Sequence, residues 1–424
     1  MKKNPLIFIY GLGLSAVAGF VVVLFYVLQS FLIEFFWHED VEAFSRPIIN
    51  AVILLVIGVV IFLTRKHFGQ LPRNFSNVMA EIRRTGTADY RILPLQMVIP
   101  AIILVSGTSL GPEATLVSST VLYGIWIGDK LRYVEANFEQ LKALSWKMIL
   151  RVLLTPHQYL VHREDSPEHR GIFLNKKVTK VIYFLNGILW FTIVYNLFDE
   201  PSLIIRIGES NWHYSELGWM LLILLVSYAI GHLYLKAMIE IRKIIQSRFF
   251  HEIALVAFGG IAIYVASLLA PEILFSGQHN FHLFTMDWAG HSATYLMIIS
   301  FAKLLLIAIV LNTGWVGGDI FPVLFSATVQ GLAVSQWLPN LDRTFIMVMI
   351  AMGVGSAVLE SPLLVGSLMA IMFAPINLLP FVIFATILLM VVKSLQRRYT
   401  KYAPTVFDQI GDWMRSLKLF GNKS

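Results

Sequence analysis

SGTSLGPEATLVSST, residues 106–120, sets one carboxylate, Glu113, among glycines, a proline and small hydroxyl side chains, with apolar runs before and after it. An ionisable group at membrane depth is costly and marks a functional position by default. The structural alternative is a neutral carboxyl that closes a tight turn. Which reading applies depends on whether the flanking runs cross a bilayer and what else is brought to the same depth.

The composition answers the first part. Of 424 residues, 57% are hydrophobic and only 14% are charged, more apolar side chain than a soluble domain of this size can hide. Apolar runs recur at about 5–36, 47–64, 92–106, 114–128, 178–198, 217–235, 251–272, 293–311, 320–338, 344–358 and 361–393. A crossing takes roughly 20 residues, so the short paired runs predict helices that stop inside the membrane. The start, MKKNPLIFIYGLGLSAVAGF, imitates a signal peptide, but its apolar run reaches residue 36 and predicts an uncleaved first helix. There is no cysteine, hence no disulfide framework and no thiol chemistry. The net charge of +7 is concentrated in 65–91, 129–180, 236–248 and the C-terminal tail, each beside an apolar run. That is the positive-inside pattern, not a nucleic-acid footprint, and it predicts a multi-pass cell-membrane protein with both termini cytoplasmic.

Orientation then follows along the chain. The 92–128 segment leaves from the basic side and returns to it, with SLGPEA near the middle of the excursion. In the second half, 293–311 enters from the opposite side and 320–338 leaves again, with NTGWVGGDIFP at the break. Non-helical backbone at membrane depth is tolerated only when buried in protein or lining a wet cavity. Two excursions of opposite sense predict an inverted-topology repeat whose broken elements meet near the midplane. The expected fold is therefore all-α and polytopic, with broken, re-entrant helices. It forms a single transmembrane domain over 1–424, with a first repeat over about 30–200, a second over about 215–395 and no separate soluble domain.

The breaks carry chemistry. A helix N-terminus exposes unpaired N–H groups and about half a positive charge, which suits an anion in a dry cavity. Glycine permits close approach to the backbone, and proline fits the first turn, where its missing N–H has no partner to lose. Gly111-Pro112-Glu113-Ala114 opens one helix, and Gly317-Gly318-Asp319-Ile320-Phe321-Pro322 opens the other. A carboxylate on such a terminus can occupy the anion site itself and leave when protonated or outcompeted, which makes it a gate. For Gly317-Gly318 the competing reading is close helix packing through small residues. Lys303, inside MIISFAKLLLIAIVL, either raises the positive potential around an anion path, snorkels, or pairs with a carboxylate.

Other candidates are weaker. The polar stretch 129–177 has helical spacing at first and then reads as a cytosolic loop; its histidines, His157, His162 and His169, lie at no tight metal-ligand spacing. Ser118 and Ser119 follow Glu113 without a histidine partner, and no paired acids or histidines occur at helical spacing inside a run. An enzyme is therefore not expected, and no cofactor or metal is called for.

Leu110-Gly111-Pro112-Glu113-Ala114-Thr115 resembles the glutamate motif of the CLC family of chloride channels and chloride/proton antiporters, of form Leu-Gly-Arg-Glu-Gly-Pro. Gly317-Gly318-Asp319-Ile320-Phe321-Pro322 is similar to that family's Gly-Gly-x-Phe-x-Pro motif. Lys303 and Pro362-Leu363 also sit where the family has a Lys and a Pro-Leu. The resemblance implies that Glu113 is the external gating glutamate and that the amides of Asp319 and Ile320 face the anion. It also places Phe68-Gly69-Gln70-Leu71-Pro72 where the family carries a serine motif, with Gly69 and Gln70 at the anion but no hydroxyl. Phe407, or the nearby Tyr402, stands for a coordinating tyrosine. Pro112 replaces an arginine, Ala114-Thr115 replaces Gly-Pro, and Asp319 adds a second carboxylate. The antiporters' inner proton-transferring glutamate has no counterpart; neither Glu164 nor Glu168 is assigned to it.

The functional expectation is a CLC-type pathway for a small monovalent anion, chloride foremost, gated by Glu113, as a channel or a proton-coupled exchanger. The expected partners are chloride or another small anion, protons where transport is coupled, the lipid bilayer, and a second copy of the chain in a homodimer; nucleic acid is not among them. The alternatives are a cation- or proton-coupled solute carrier using Glu113 and Asp319, and a transport-dead structural homologue.

Overall fold

A computed structural model describes residues 3–37, 46–162, 177–198, 204–249, 251–277 and 288–400. Every regular element among them is helical: α1 (Lys3–Trp37), α2 (Arg46–Phe68), α3 (Phe75–Thr85), α4 (Leu93–Leu104), α5 (Glu113–Ala136), α6 (Phe138–Ala143), α7 (Trp146–Leu154), α8 (Lys177–Tyr195), α9 (Leu217–Arg248), α10 (Glu252–Leu269), α11 (Ala293–Val310), α12 (Ile320–Trp337), α13 (Arg343–Val358), α14 (Pro362–Leu368) and α15 (Leu379–Thr400). Among the described residues, eight helical segments are long and apolar enough to cross a bilayer, built on α1, α2, α8, α9, α10, α11, α12 and α15. Their outward faces carry large apolar side chains such as Leu55, Phe184, Leu189, Ile261 and Leu269. Contiguous apolar surface of this kind needs a solvent other than water, and the molecule is an all-α, multi-pass membrane protein.

The excursion at 92–128 is two helices, α4 and α5, with an irregular turn between them. α5 runs past the apolar stretch to Ala136 because its polar end is internally satisfied. Asp129, wholly buried, accepts from Tyr90 Oη at 2.9 Å, contacts His162 Nδ1 at 2.7 Å, and pairs with Arg132. Lys130 donates to the carbonyls of Thr155 and Gln158. His162, in the stretch that reads as a cytosolic loop, stays partly exposed but is tied to α5 through the buried Asp129; buried charges persist where they are paired. Glu164, Glu168 and His169 lie outside the described residues. A second difference concerns 361–393, one apolar run that is not one helix. α14 passes into a π-helical turn, Met369–Phe373, and stops where Ala374 is extended (φ −72°, ψ 139°) ahead of Pro375. A residue before proline is pushed out of the helical region, and the chain restarts at α15.

The chain divides into two compact units. In the first, Met1–Ser202 with Met238–His279 and Phe301–Pro322, α5 packs on α1, α3 and α4, α8 on α1, and α10 on α2. In the second, Leu203–Ala237 with Asn280–Ser300 and Val323–Ser424, α13 packs on α14 and α15 and is buried at every position from Thr344 to Val358. A helix apolar on all sides belongs in such a core. Asp342 caps it: its carboxylate accepts from Phe345 N and Ser210 Oγ, both at 2.7 Å, and from Asn211 N at 2.9 Å.

Candidate functional site

The site lies in the first unit, where the two breaks meet. After α4 the chain turns at Gly107, whose φ of +76° is the left-handed conformation that glycine adopts freely. A Cβ there would stand 2.9 Å from the Trp37 ring. Trp37 Nε1 donates to Val105 O at 2.7 Å, and its ring meets Phe275 edge-on at 5.2 Å. Phe275 N in turn donates to Gly107 O at 3.3 Å. The first break is thus braced from behind before it reaches the functional residues.

Gly111 and Gly318 then exchange backbone hydrogen bonds, Gly111 N to Gly318 O at 2.7 Å and Gly318 N to Gly111 O at 2.6 Å. This two-residue antiparallel bridge fixes one break against the other. Pro112 is the N-cap of α5 and Glu113 its first residue. The Glu113 carboxylate turns toward the start of α12, where Oε1 accepts from Phe321 N at 2.8 Å. Oε2 is buried and has no hydrogen-bond partner. The glycines make the seat: a Cβ on Gly111 would lie 2.2 Å from Oε2, and one on Gly318 only 1.9 Å from it. The carboxylate therefore sits against the amide ends of two helices, where the backbone supplies positive potential without a formal cation.

The resemblance points to the amides of Asp319 and Ile320, but the amide that meets the carboxylate is that of Phe321. α12 begins at Ile320, so the unpaired N–H groups of its first turn extend one residue further in. Asp319 and Ile320 are half-buried beside it. Ala114 N would lie 3.0 Å from a Cβ on Gly318, which puts α5's own first turn at the same seat. Gly317 serves close packing, since its Cβ would meet Leu110 Cβ at 2.7 Å. Four further hydroxyls of this stretch, on Thr108, Ser109, Thr115 and Ser119, are buried without a partner. Orphaned donors in such number ask for water or an ion.

Gly69 and Gln70 are not part of this buried arrangement. Both are exposed; Gly69, with φ +78°, ends α2 and donates to Arg65 O at 3.1 Å, the ordinary use of glycine past a helix end. The same loop reaches α5 another way, through a residue that sequence reasoning passes over. Gln96, wholly buried in α4, accepts from Arg73 N at 2.9 Å and donates to Ser118 Oγ at 2.6 Å. Its signal is a lone amide in the apolar run LPLQMVIPAIIL. Phe407 and Tyr402 lie outside the described residues.

Lys303 is wholly buried, and its ammonium donates to the carbonyls of Ile273 at 2.9 Å, Leu274 at 3.4 Å and Phe275 at 2.8 Å. It does not snorkel. It holds the loop that braces Gly107, and so positions the first break from a distance. Lys303→Met removes the donors and leaves buried carbonyls unsatisfied, each worth about 1–3 kcal/mol. The expected result is an unfolding free energy in mixed micelles lower by about 3 kcal/mol; an unchanged value would remove Lys303 from this role.

Among solved structures the chain is similar to that of a slow cyanobacterial Cl−/H+ antiporter, with a TM-score of 0.65 at 15% identity over 94% of this chain and 98% of that one. It is also similar to a CLC-type fluoride/proton antiporter, with a TM-score of 0.58 at 13% identity over 90% and 93% of the two chains. At such identities the likeness is one of fold. No curated protein matches the sequence. The sequence profile described as voltage gated chloride channel matches residues 178–393, just over half of the chain. The match takes in the second break with Gly317–Pro322; the first, with Glu113, lies before it and is tied to it by the Gly111–Gly318 bridge. On the strength of that profile, and in the fold its structural neighbours share, the chain belongs to the voltage-gated chloride channel (CLC) family.

Proposed function

We propose that this protein carries a small monovalent anion, chloride foremost, across the cell membrane along a pathway gated by Glu113. One observation carries the reading: the Glu113 carboxylate is seated where helix amides converge, with Oε1 bonded to Phe321 N and Oε2 buried and unpartnered. A site that stabilises one buried negative group this way is suited to a mobile one. The unpartnered hydroxyls of Thr108, Ser109, Thr115 and Ser119 offer further donors along the same segment. The backbone N–H groups at the seat, of Phe321 and Ala114, only donate, which favours an anion over the cation that Glu113 and Asp319 would hold in a solute carrier. That the two structural neighbours are a Cl−/H+ and a fluoride/proton antiporter supports proton-coupled exchange as the mode. The proposal includes one transmembrane domain over 1–424 with inverted repeats at about 30–200 and 215–395. It further includes cytoplasmic termini and a homodimer with a pathway in each subunit.

Reconstituted vesicles test the reading. Radioactive chloride uptake above that of empty vesicles is expected, accompanied by proton movement on a pH-sensitive dye. Uptake of sodium in place of chloride would establish the carrier reading, and uptake of neither the transport-dead one. Fluoride uptake exceeding chloride would reassign the anion while keeping the gate.

A further inference from the structure

A second site lies away from Glu113. Between α1, α5 and α8 the first unit holds a cavity of about 680 Å³. Its walls are apolar along most of their length, from Val22 on α1 and Phe191 on α8 to Ile127 on α5. Close contact of α1 with α8 makes its floor, where a Cβ on Gly19 would come within 2.4 Å of Gly187 O. Among the described residues, the cations lining it are Arg132 and Lys180, toward one end. Their level is the same: Leu131 and Val134, which flank Arg132 on α5, form one apolar cluster with Ile7 and Leu14 of α1 and with Tyr183, one turn beyond Lys180. Arg83 and Arg84 directly follow the lining residue Ile82.

Length and charge define the occupant. From Lys180 to Phe191 the α8 wall runs eleven residues, about 16 Å at 1.5 Å per residue. That is half of a hydrocarbon core about 30 Å thick, one leaflet. Among the described residues, Asp129 on α5 is wholly buried and already paired with Arg132, whereas Lys180 is exposed. A crevice one leaflet deep, apolar along its length and cationic at its rim, fits an acyl chain below and an acidic headgroup above. Basic pockets between helices on the positive side of a membrane take such headgroups. We infer that the α1–α5–α8 crevice is a binding site for one anionic glycerophospholipid, its phosphate at Lys180 and Arg132 and an acyl chain reaching toward Phe191.

The test uses the full chain purified in mild detergent and equilibrated with equal amounts of phosphatidylglycerol and phosphatidylcholine of the same acyl chains, read by native mass spectrometry. One retained phosphatidylglycerol per chain is expected, favoured over phosphatidylcholine by about fivefold for the cation it gains. Lys180→Gln is expected to reduce that preference by about fivefold. Gly124→Leu fills the cavity from α5, where a Cβ would meet nothing within 4 Å, and is expected to abolish retention of both lipids. Equal retention of the two lipids would overturn the headgroup assignment. Undiminished retention in Gly124→Leu, in protein whose thermal unfolding matches the parent, would overturn the crevice. Displacement by millimolar glycerol phosphate would show that the rim binds free phosphate and that the chain has no lipid site.

Discussion

Glu113→Gln is expected to flatten the pH dependence of anion flux in reconstituted vesicles and to raise flux at neutral pH by about tenfold. Glutamine keeps the volume and the amide contact to Phe321 N but loses the charge. A hydrogen bond to a charged acceptor is worth about 1.5–3 kcal/mol against roughly 1 for a neutral pair, and the difference sets the factor. The sign follows from what each form can do. The carboxylate competes with an anion for the converging amides; the carboxylic acid competes poorly. Parent flux should therefore rise as pH falls and the seat is vacated, while the variant should stay near the parent's acid limit throughout. Glu113→Ala should reach the same open level and also sever proton movement from anion movement, since no titratable group remains at the seat. Stopped-flow or electrode recordings between pH 4 and 8 check both. A parent whose flux ignores pH, or a glutamine variant that keeps the parent's profile, would end Glu113's candidacy as the gate.

Gly318→Ala is the second large effect, and it tests the seat rather than its occupant. The added methyl would start 1.9 Å from Glu113 Oε2 and 3.0 Å from Ala114 N. Backbone does not yield there, because Gly111 and Gly318 are joined by two hydrogen bonds. The carboxylate is the movable partner and must leave. The expected phenotype is that of Glu113→Ala, with flux raised by about tenfold at neutral pH by the same loss of a charge-assisted bond. Combined in one chain, Gly318→Ala and Glu113→Ala should do no more than either alone, since interacting residues are not additive. Full additivity in that double-mutant cycle would mean that the methyl acts elsewhere. Gly111→Ala, 2.2 Å from the same oxygen, is expected to repeat the result.

Sequence by itself determined the solvent, the class and the two breaks. Composition and the recurrence of apolar runs require a bilayer because no soluble core hides so much apolar surface. Glycine and proline beside a lone acid place the interruptions at 111–114 and 317–322, since both residue types act within their own few positions. What the tertiary structure decided depends on groups far apart in the chain. That Gly111 pairs with Gly318, and that the donor to Glu113 is Phe321 rather than its neighbours, follows from where α12 begins relative to α5; no local preference encodes this. Lys303 reads from sequence as one of three things, and only the fold brings the carbonyls of 273–275 to its ammonium. Gly69 carries a motif-like context yet ends a helix, because position in a string does not say which glycines are buried. Asp129 opens a polar stretch that reads as solvated, yet Tyr90, Arg132 and His162 close on its carboxylate and bury it. Local chemistry is written in consecutive residues, whereas a site built from opposing helix ends exists only after packing sets their distance.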